Sequence, residues 1–377
     1  MVNVGRLLVP WYRYPPFDRD RVGGLSVAVW ELTAELGRRG IQVDVLTPEP
    51  ATQNDWTPSG VRAVVSPVGR KFLNNQPLVR NEEKMLDDYD KVLSIGNYAA
   101  RTLNSSKRRE IVVRQIHAIG QDRGLSSYVS LTPTLTEYLR MMWAKRKDER
   151  NMTLLRGSKT LCVSEFIRHR MEDGLEDAKN LDFIPNGIYT EQFRPMQVNK
   201  DFDLLYIGRF QKSKGLDILL KALNLITQSG KQVFNLGIVG AFSTDERSYL
   251  FRNVRSGLRE HIIFLGTIQR QEIPAVINRS RLVVVPARYE SFGLPALEAI
   301  ACGVPVIAAR VGGLPEIIDG TVGLLVEPGD PVALAYGISQ LVRNDDFAER
   351  VRVAGPSRAK RYDWSRVASE MEQAIFS

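Results

Sequence analysis

Short, mainly apolar runs alternating with amphipathic stretches constrain this chain more than any other feature, because few folds other than repeated βαβ units satisfy that beat. Runs at residues 6–9, 43–46, 92–95 and 111–113 have strand length, and residues 25–36 carry apolar side chains at helical spacing. The beat returns after residue 200, with strands expected at 204–207, 234–239, 262–265, 282–285 and 304–308 and a helix at 216–226. The expected fold class is α/β, with two tandem Rossmann-like, doubly wound parallel sheets.

Between the two series lies Phe183-Ile-Pro-Asn-Gly-Ile-Tyr-Thr-Glu-Gln-Phe-Arg-Pro195, where two prolines and an Asn-Gly pair break any period. The organisation read from this is a first domain over 1–185, a linker over 186–200, a second domain over 201–355 and a closing segment over 356–377. That last segment predicts a helix with Trp364, Val367, Met371 and Ile375 on one face. With 377 residues and 44% apolar side chains, the chain can bury a core in each domain.

Charge and cysteine content narrow the function classes. The net charge is +8, and residues 101–150, with 11 basic and 5 acidic side chains, supply +6 of it. This is a local basic surface without a nucleic-acid-binding signature, so no nucleic-acid partner is expected. The longest uncharged stretch in the most apolar region, 299–309, has 11 residues, short of the roughly 18 that cross a bilayer. The N-terminal run 7–12 lacks a small-residue cleavage site, which makes a cytoplasmic protein the expectation. Cys162 and Cys302 stand 140 residues apart in unrelated contexts, so buried thiols are expected rather than a disulfide or a zinc site.

Three segments carry chemistry. Gly23-Gly24 opens directly into the 25–36 helix, where glycine lets backbone approach a ligand and a helix N-terminus favours an anion; a plain turn pair is the alternative. Neither G-x-G-x-x-G nor a P-loop is present, so dinucleotide oxidoreductases and P-loop NTPases are not supported. In the second half, Gly208-Arg209-Phe-Gln-Lys212-Ser-Lys214-Gly215 follows a strand and precedes a helix. Arg209, Lys212 and Lys214 thus sit at the carboxyl end of a parallel strand, where open α/β sheets bind ligands, and suit a polyanion; a solvated basic turn is the alternative.

The third segment, Pro286-Ala-Arg-Tyr-Glu290-Ser-Phe292-Gly293-Leu294-Pro295-Ala-Leu-Glu298, leads from a strand through a loop into a helix that Pro295 can start and Gly303 can end. Eight residues of helix would part Glu290 from Glu298 by about 12 Å, beyond the roughly 5–9.5 Å of glycosidase carboxylate pairs. Gripping two ends of one long ligand fits that spacing better than hydrolysis between two carboxylates. Backbone amides near Gly293 and Leu294 would face a phosphate at the helix start.

The Glu290-to-Glu298 element, with Ser291-Phe292-Gly293-Leu294-Pro295 inside it, resembles the GT-B nucleotide-sugar glycosyltransferases, and among them retaining glycosyltransferase family 4. Gly23-Gly24, Val163-Ser164-Glu165, Ile184-Pro185-Asn186-Gly187-Ile188, Gly208-Arg209 with Lys214-Gly215, Gly312-Gly313-Leu314-Pro315-Glu316 and Gly323-Leu324-Leu325-Val326 agree in order and spacing. The resemblance covers the C-terminal half strongly and the N-terminal half loosely. It implies two domains facing across a cleft, with the nucleotide sugar held mainly by the second. Arg209 and Lys214 would neutralise the diphosphate, Glu290 would lie by the transferred sugar, and Glu298 would take the ribose hydroxyls. Gly23, Gly24, Phe292, Gly293 and Leu294 would complete the donor contacts, and the helix around Trp364 would cross back to brace the first domain. His117 matches the family's histidine facing the reacting sugar, although Arg114-Gln115 before it and the lack of a following Asp depart from the pattern; a structural histidine is the alternative.

The resulting expectation is an enzyme that moves a hexose-type sugar from a nucleoside diphosphate to an acceptor hydroxyl with retention, without metal or other cofactor. Asp88-Tyr-Asp90 and Asp201-Phe-Asp203 have D-x-D form but precede predicted strands, where they read as strand-entry acids. The acceptor, a sugar, lipid-linked sugar or small molecule, is expected on the first domain. Residues 137–147, mixing Leu139, Met142 and Trp143 with four basic side chains, are a candidate for peripheral contact with an anionic inner membrane face; a docked helix with a solvated basic face is the alternative. A nucleotide-sugar epimerase and a non-enzymatic basic binding protein are the competing readings.

Overall fold

The computed structural model describes residues 5–11, 24–47, 59–66, 68, 70–71, 76, 78–96, 100–104, 109–117, 153–154, 156–173, 178–230, 233–252 and 254–377. The described residues fall into two compact units: those up to Gly187 together with Trp364–Ser377, and Ile188–Asp363. The 186–200 segment is thus divided at residue 187, and most of it is counted with the second unit.

The first unit is built on a parallel sheet of seven strands: β1 Arg6–Pro10, β2 Gln42–Thr47, β3 Val61–Val65, β4 Lys91–Ile95, β5 Val112–Ile116, β6 Thr160–Cys162 and β7 Leu181–Phe183. Their order is β3-β2-β1-β4-β5-β6-β7. The second carries six parallel strands, β8 Phe202–Ile207, β9 Leu236–Val239, β10 Ile262–Gly266, β11 Ser280–Val285, β12 Val306–Ala309 and β13 Gly323–Val326, in the order β10-β9-β8-β11-β12-β13. Both are the doubly wound α/β arrangement that the alternating pattern predicts. Interior strands are legible where helices cover both faces and the run is mostly apolar; β11, for example, buries Leu282 through Val285. Edge strands β3, β7 and β13 are short and partly exposed, and with the three-residue β6 they fall outside the runs that the pattern predicts.

The helix Trp364–Phe376 belongs to the first unit and buries Trp364, Val367, Ala368, Met371 and Ile375. Its anchor is Trp364, 1% exposed, whose indole Nε1 donates to Glu31 Oε2 at 2.8 Å. The ring also packs where a side chain on Gly187 would stand. Both cysteines are buried free thiols, and burial pushes Cys162 up to about 12 and Cys302 further upward.

Asp44 joins the strands of the first sheet. Fully buried on β2, it accepts Nε and Nη2 of Arg62 from β3 at 2.8 and 2.6 Å and the Tyr89 hydroxyl at 2.8 Å, with Arg6 of β1 at 3.6 Å. Burial alone would raise its pKa. The hydrogen bonds from Arg62 and Tyr89 and the two guanidinium charges outweigh that and hold it below 3.8. A depressed folded-state value means the stabilisation is complete above the unfolded pKa and is lost as pH falls through the folded one. Asp44→Asn should therefore destabilise the chain by about 2–3 kcal/mol at neutral pH. In thermal unfolding followed against pH, the wild-type advantage should shrink as pH falls from neutrality through the depressed folded pKa of Asp44; an advantage that stays constant down to acid unfolding would refute the assignment.

Candidate active site

In the second unit the strand order reverses between β8 and β11, so the loops leaving their carboxyl ends, 208–215 and 286–293, emerge side by side. Their backbones touch: the amides of Arg288 and Tyr289 donate to the Ser213 carbonyl at 2.7 and 3.3 Å. Gly215 adopts φ +71°, and a Cβ there would fall on the carbonyl of Pro286. The loop after β12 closes the other side. Gly312 has φ +57° and lies directly against the Glu290 carbonyl, to which Gly313 N donates at 3.1 Å. The glycines at 215 and 312 are therefore required both by conformation and by space.

This packing brings the charged residues together. Lys214 Nζ donates to Glu290 Oε2 at 2.7 Å, joining the cation of one loop to the carboxylate of the other. Arg209 follows β8 with its side chain exposed. Beneath it, the Tyr206 hydroxyl lies 3.5 Å from the Arg209 carbonyl, and burial drives its pKa upward. Phe292 is buried and meets Tyr362 edge to face at 5.9 Å. Gly293, at φ +112°, turns the chain into the helix Leu294–Ala301, with Pro295 one residue inside its start and Gly303 just past its end. Glu298 is 4% exposed on that helix.

Its partner is a residue that the motifs did not single out. Arg270, on the turn Arg270–Glu272 after β10, donates Nη1 to Glu298 Oε1 and lies 4.5 Å over the Phe193 ring. The two glutamates thus occupy separate ion pairs, Glu290 with Lys214 and Glu298 with Arg270. Arg288, Asp217 and Tyr206 carry no motif signal, and nothing in one-dimensional spacing brings residue 288 to residue 217.

The remaining predicted residues belong to the first unit. His117 follows β5 directly and is 6% exposed. Gly24 begins the helix Gly24–Arg38, whereas Gly23, the rest of the loop before it and the 137–147 segment lie outside the described residues. Three of the D-x-D acids make backbone or ion-pair contacts: Asp90 accepts Arg6 N, Asp203 accepts Asn235 N, and Asp201 pairs with Arg279. Among the described residues, no cluster of three His, Cys, Asp or Glu could hold a metal ion, and no helix is long and apolar enough to cross a membrane.

Residues 22–192 match the family described as Glycosyltransferase Family 4, and residues 189–358 match Glycosyl transferases group 1. An uncharacterized glycosyltransferase of Methanocaldococcus jannaschii is 30% identical over 96% of this chain and 95% of its own. The phosphatidyl-myo-inositol mannosyltransferase of Mycobacterium leprae is 29% identical over 94% and 93%. Several other relatives match at 32–35% identity over 41–56% of their own length. Among solved structures, Anabaena HepE in complex with UDP and glucose superposes with a TM-score of 0.75 at 18% identity, covering 99% of this chain and 100% of that one. The chain belongs to the family 4 glycosyltransferases of the GT-B fold.

The loop contact is testable with a matched pair of glycines. Gly230 has nearly the same φ, +70°, but open space where a Cβ would stand. Gly230→Ala should cost about 1–2 kcal/mol of stability and leave turnover intact. Gly215→Ala adds the collision with Pro286 and should also lower turnover at least tenfold. Equal activity of the two variants would show that the loop contact does not shape the site.

Proposed function

We propose that this glycosyltransferase transfers a hexose-type sugar from a nucleoside diphosphate to an acceptor hydroxyl, with retention at the anomeric carbon and without a metal ion. The observation that carries the reading is the Lys214–Glu290 ion pair, 2.7 Å long, at the switch point of the second sheet. That pair joins a phosphate-sized cation to a carboxylate able to accept sugar hydroxyls, where open α/β sheets bind their ligands. The UDP and glucose bound to the structurally similar HepE favour a nucleotide-sugar donor of this kind.

In this reading the bond between the anomeric carbon and the diphosphate oxygen breaks with its electron pair going to phosphate. Arg209 and Lys214 stabilise the charge that develops there. The acceptor oxygen forms the new bond on the same face, and its proton passes to the departing phosphate oxygen. Glu290 orients the sugar, and Phe292, Gly293 and Leu294 shape the turn beside the phosphates. Glu298 accepts the ribose hydroxyls, with Arg270 setting its orientation. By the resemblance to the family, His117 is assigned to the reacting sugar and Gly24 to the donor. Screening nucleotide sugars by thermal shift, then trapping acceptors by mass spectrometry with the hit, tests the whole reading; isomerised donor without transfer would favour an epimerase.

Arg209→Ala and Lys214→Ala should each lower turnover by about 100-fold or more with the fold intact, because an uncompensated diphosphate charge is costly away from bulk water. Near-normal turnover of both at saturating donor would remove the phosphate assignment. Activity should also survive chelation, and abolition rescued by magnesium or manganese would overturn metal independence.

The two glutamates should separate by ligand. Glu298→Gln should weaken free UDP or GDP by roughly 1–3 kcal/mol in calorimetric titration, since the ribose loses a charged acceptor. Glu290→Gln should bind the free diphosphate normally and be slow only with the complete donor. Equal losses, or a loss confined to Glu290→Gln, would reverse the roles.

A further inference from the structure

The Lys214–Glu290 pair joins two short loops through residues 76 positions apart in sequence. Something must hold them in register, and Arg288 is placed to do so. Its guanidinium donates Nη1 and Nη2 to the two carboxylate oxygens of Asp217, each at 2.7 Å, in the planar fork that Arg alone can make. The same Nη1 donates to the Lys212 carbonyl at 2.8 Å, and the Arg288 backbone amide to the Ser213 carbonyl at 2.7 Å. One residue therefore grips the 208–215 loop through its side chain and its main chain. Arg288 stands two residues before Glu290, and Asp217 three residues after Lys214, in the first turn of the helix Leu216–Gln228.

The charge balance separates Arg288 from Arg209 and Lys214. Its positive charge is matched by Asp217 within the same fork, and its side chain is 24% exposed against 31% for Asp217. A neutral pair of this kind adds little to the field acting on a diphosphate, but it fixes where the neighbouring cation sits. Displacing a reacting group by about 1 Å can cost roughly 100-fold in rate, so such a clamp acts on turnover through geometry.

We propose that Arg288 and Asp217 are positioning residues, whose bidentate ion pair locks the Lys212–Lys214 turn onto the Glu290 loop so that Lys214 and Glu290 meet the donor already aligned. The inference rests on the donor-handling role of Lys214 and Glu290 proposed above, and its test separates the two.

Turnover at saturating donor, Kd for UDP and GDP, and melting midpoint are measured for Arg288→Ala, Asp217→Ala, the double variant and Lys214→Ala, and for Arg288→Ala in the Lys214→Ala background. Arg288→Ala and Asp217→Ala should each lower turnover about 10- to 100-fold, with the double variant within threefold of either single, because both break one clamp. In the Lys214→Ala background, Arg288→Ala should add less than threefold, since the group it positions is already gone. A role confined to stability would not produce that dependence. Should either alanine variant fail to fold, Asp217→Asn, which keeps the shape and breaks the charge pairing, is expected to show the same loss and the same dependence on Lys214.

Loss in Arg288→Ala with normal Asp217→Ala would make Arg288 a donor ligand and overturn the proposal. So would losses that multiply with Lys214→Ala, or full turnover in both clamp variants. If Lys214→Ala itself keeps normal turnover, the donor reading fails. If Lys214→Ala is impaired while the clamp variants are normal, only the clamp inference falls.

Discussion

Two close backbone contacts organise the second unit: Gly215 against the Pro286 carbonyl, and Gly312 against the Glu290 carbonyl. Each glycine is at positive φ and each lacks room for a methyl group, so the three loops leaving β8, β11 and β12 stack as backbone on backbone. A side chain at either position would force the loops apart. Charge pairing is secondary to this contact. Lys214 reaches Glu290, and Arg288 reaches Asp217, because the backbones beneath them already touch.

The parallel sheet makes such convergence possible. In an order that reverses between β8 and β11, adjacent strands send their connections to opposite faces, which leaves their carboxyl ends uncovered at the reversal. The first sheet has the same reversal between β1 and β4, braced by the buried Asp44 network across β1, β2 and β3. Trp364 secures that unit's last helix by donating to Glu31, a hydrogen bond between residues 333 positions apart. The buried Asp44 carboxylate and Trp364 indole are both satisfied by partners distant in sequence.

The ion pairs also refine the chemistry of the two glutamates. Eight residues of sequence separate them, and each has its own arginine or lysine: Lys214 from the β8 loop for Glu290, Arg270 from the turn after β10 for Glu298. Glu298 is more buried than Glu290 at the side chain, 6% against 12% exposed. Each ion pair fixes the direction of its carboxylate, Glu290 through an ammonium and Glu298 through a guanidinium.

Much of the architecture was legible in the sequence because it rests on local physics. Apolar runs of strand length mark most of the buried strands, and Gly303 ends the helix that carries Glu298. The short edge strand β7 carries little such signal, and β3 is interrupted by the exposed Arg62. Which cation serves which carboxylate was not legible either. Arg270 and Glu298 are 28 residues apart, Arg288 and Asp217 71, and only the crossing order of the second sheet brings each pair into contact. Sequence periodicity determined the strands and helices, since burial on one face or two is written residue by residue. The tertiary structure alone decided the pairs, because hydrogen bonds act over about 3 Å of space whatever the separation along the chain.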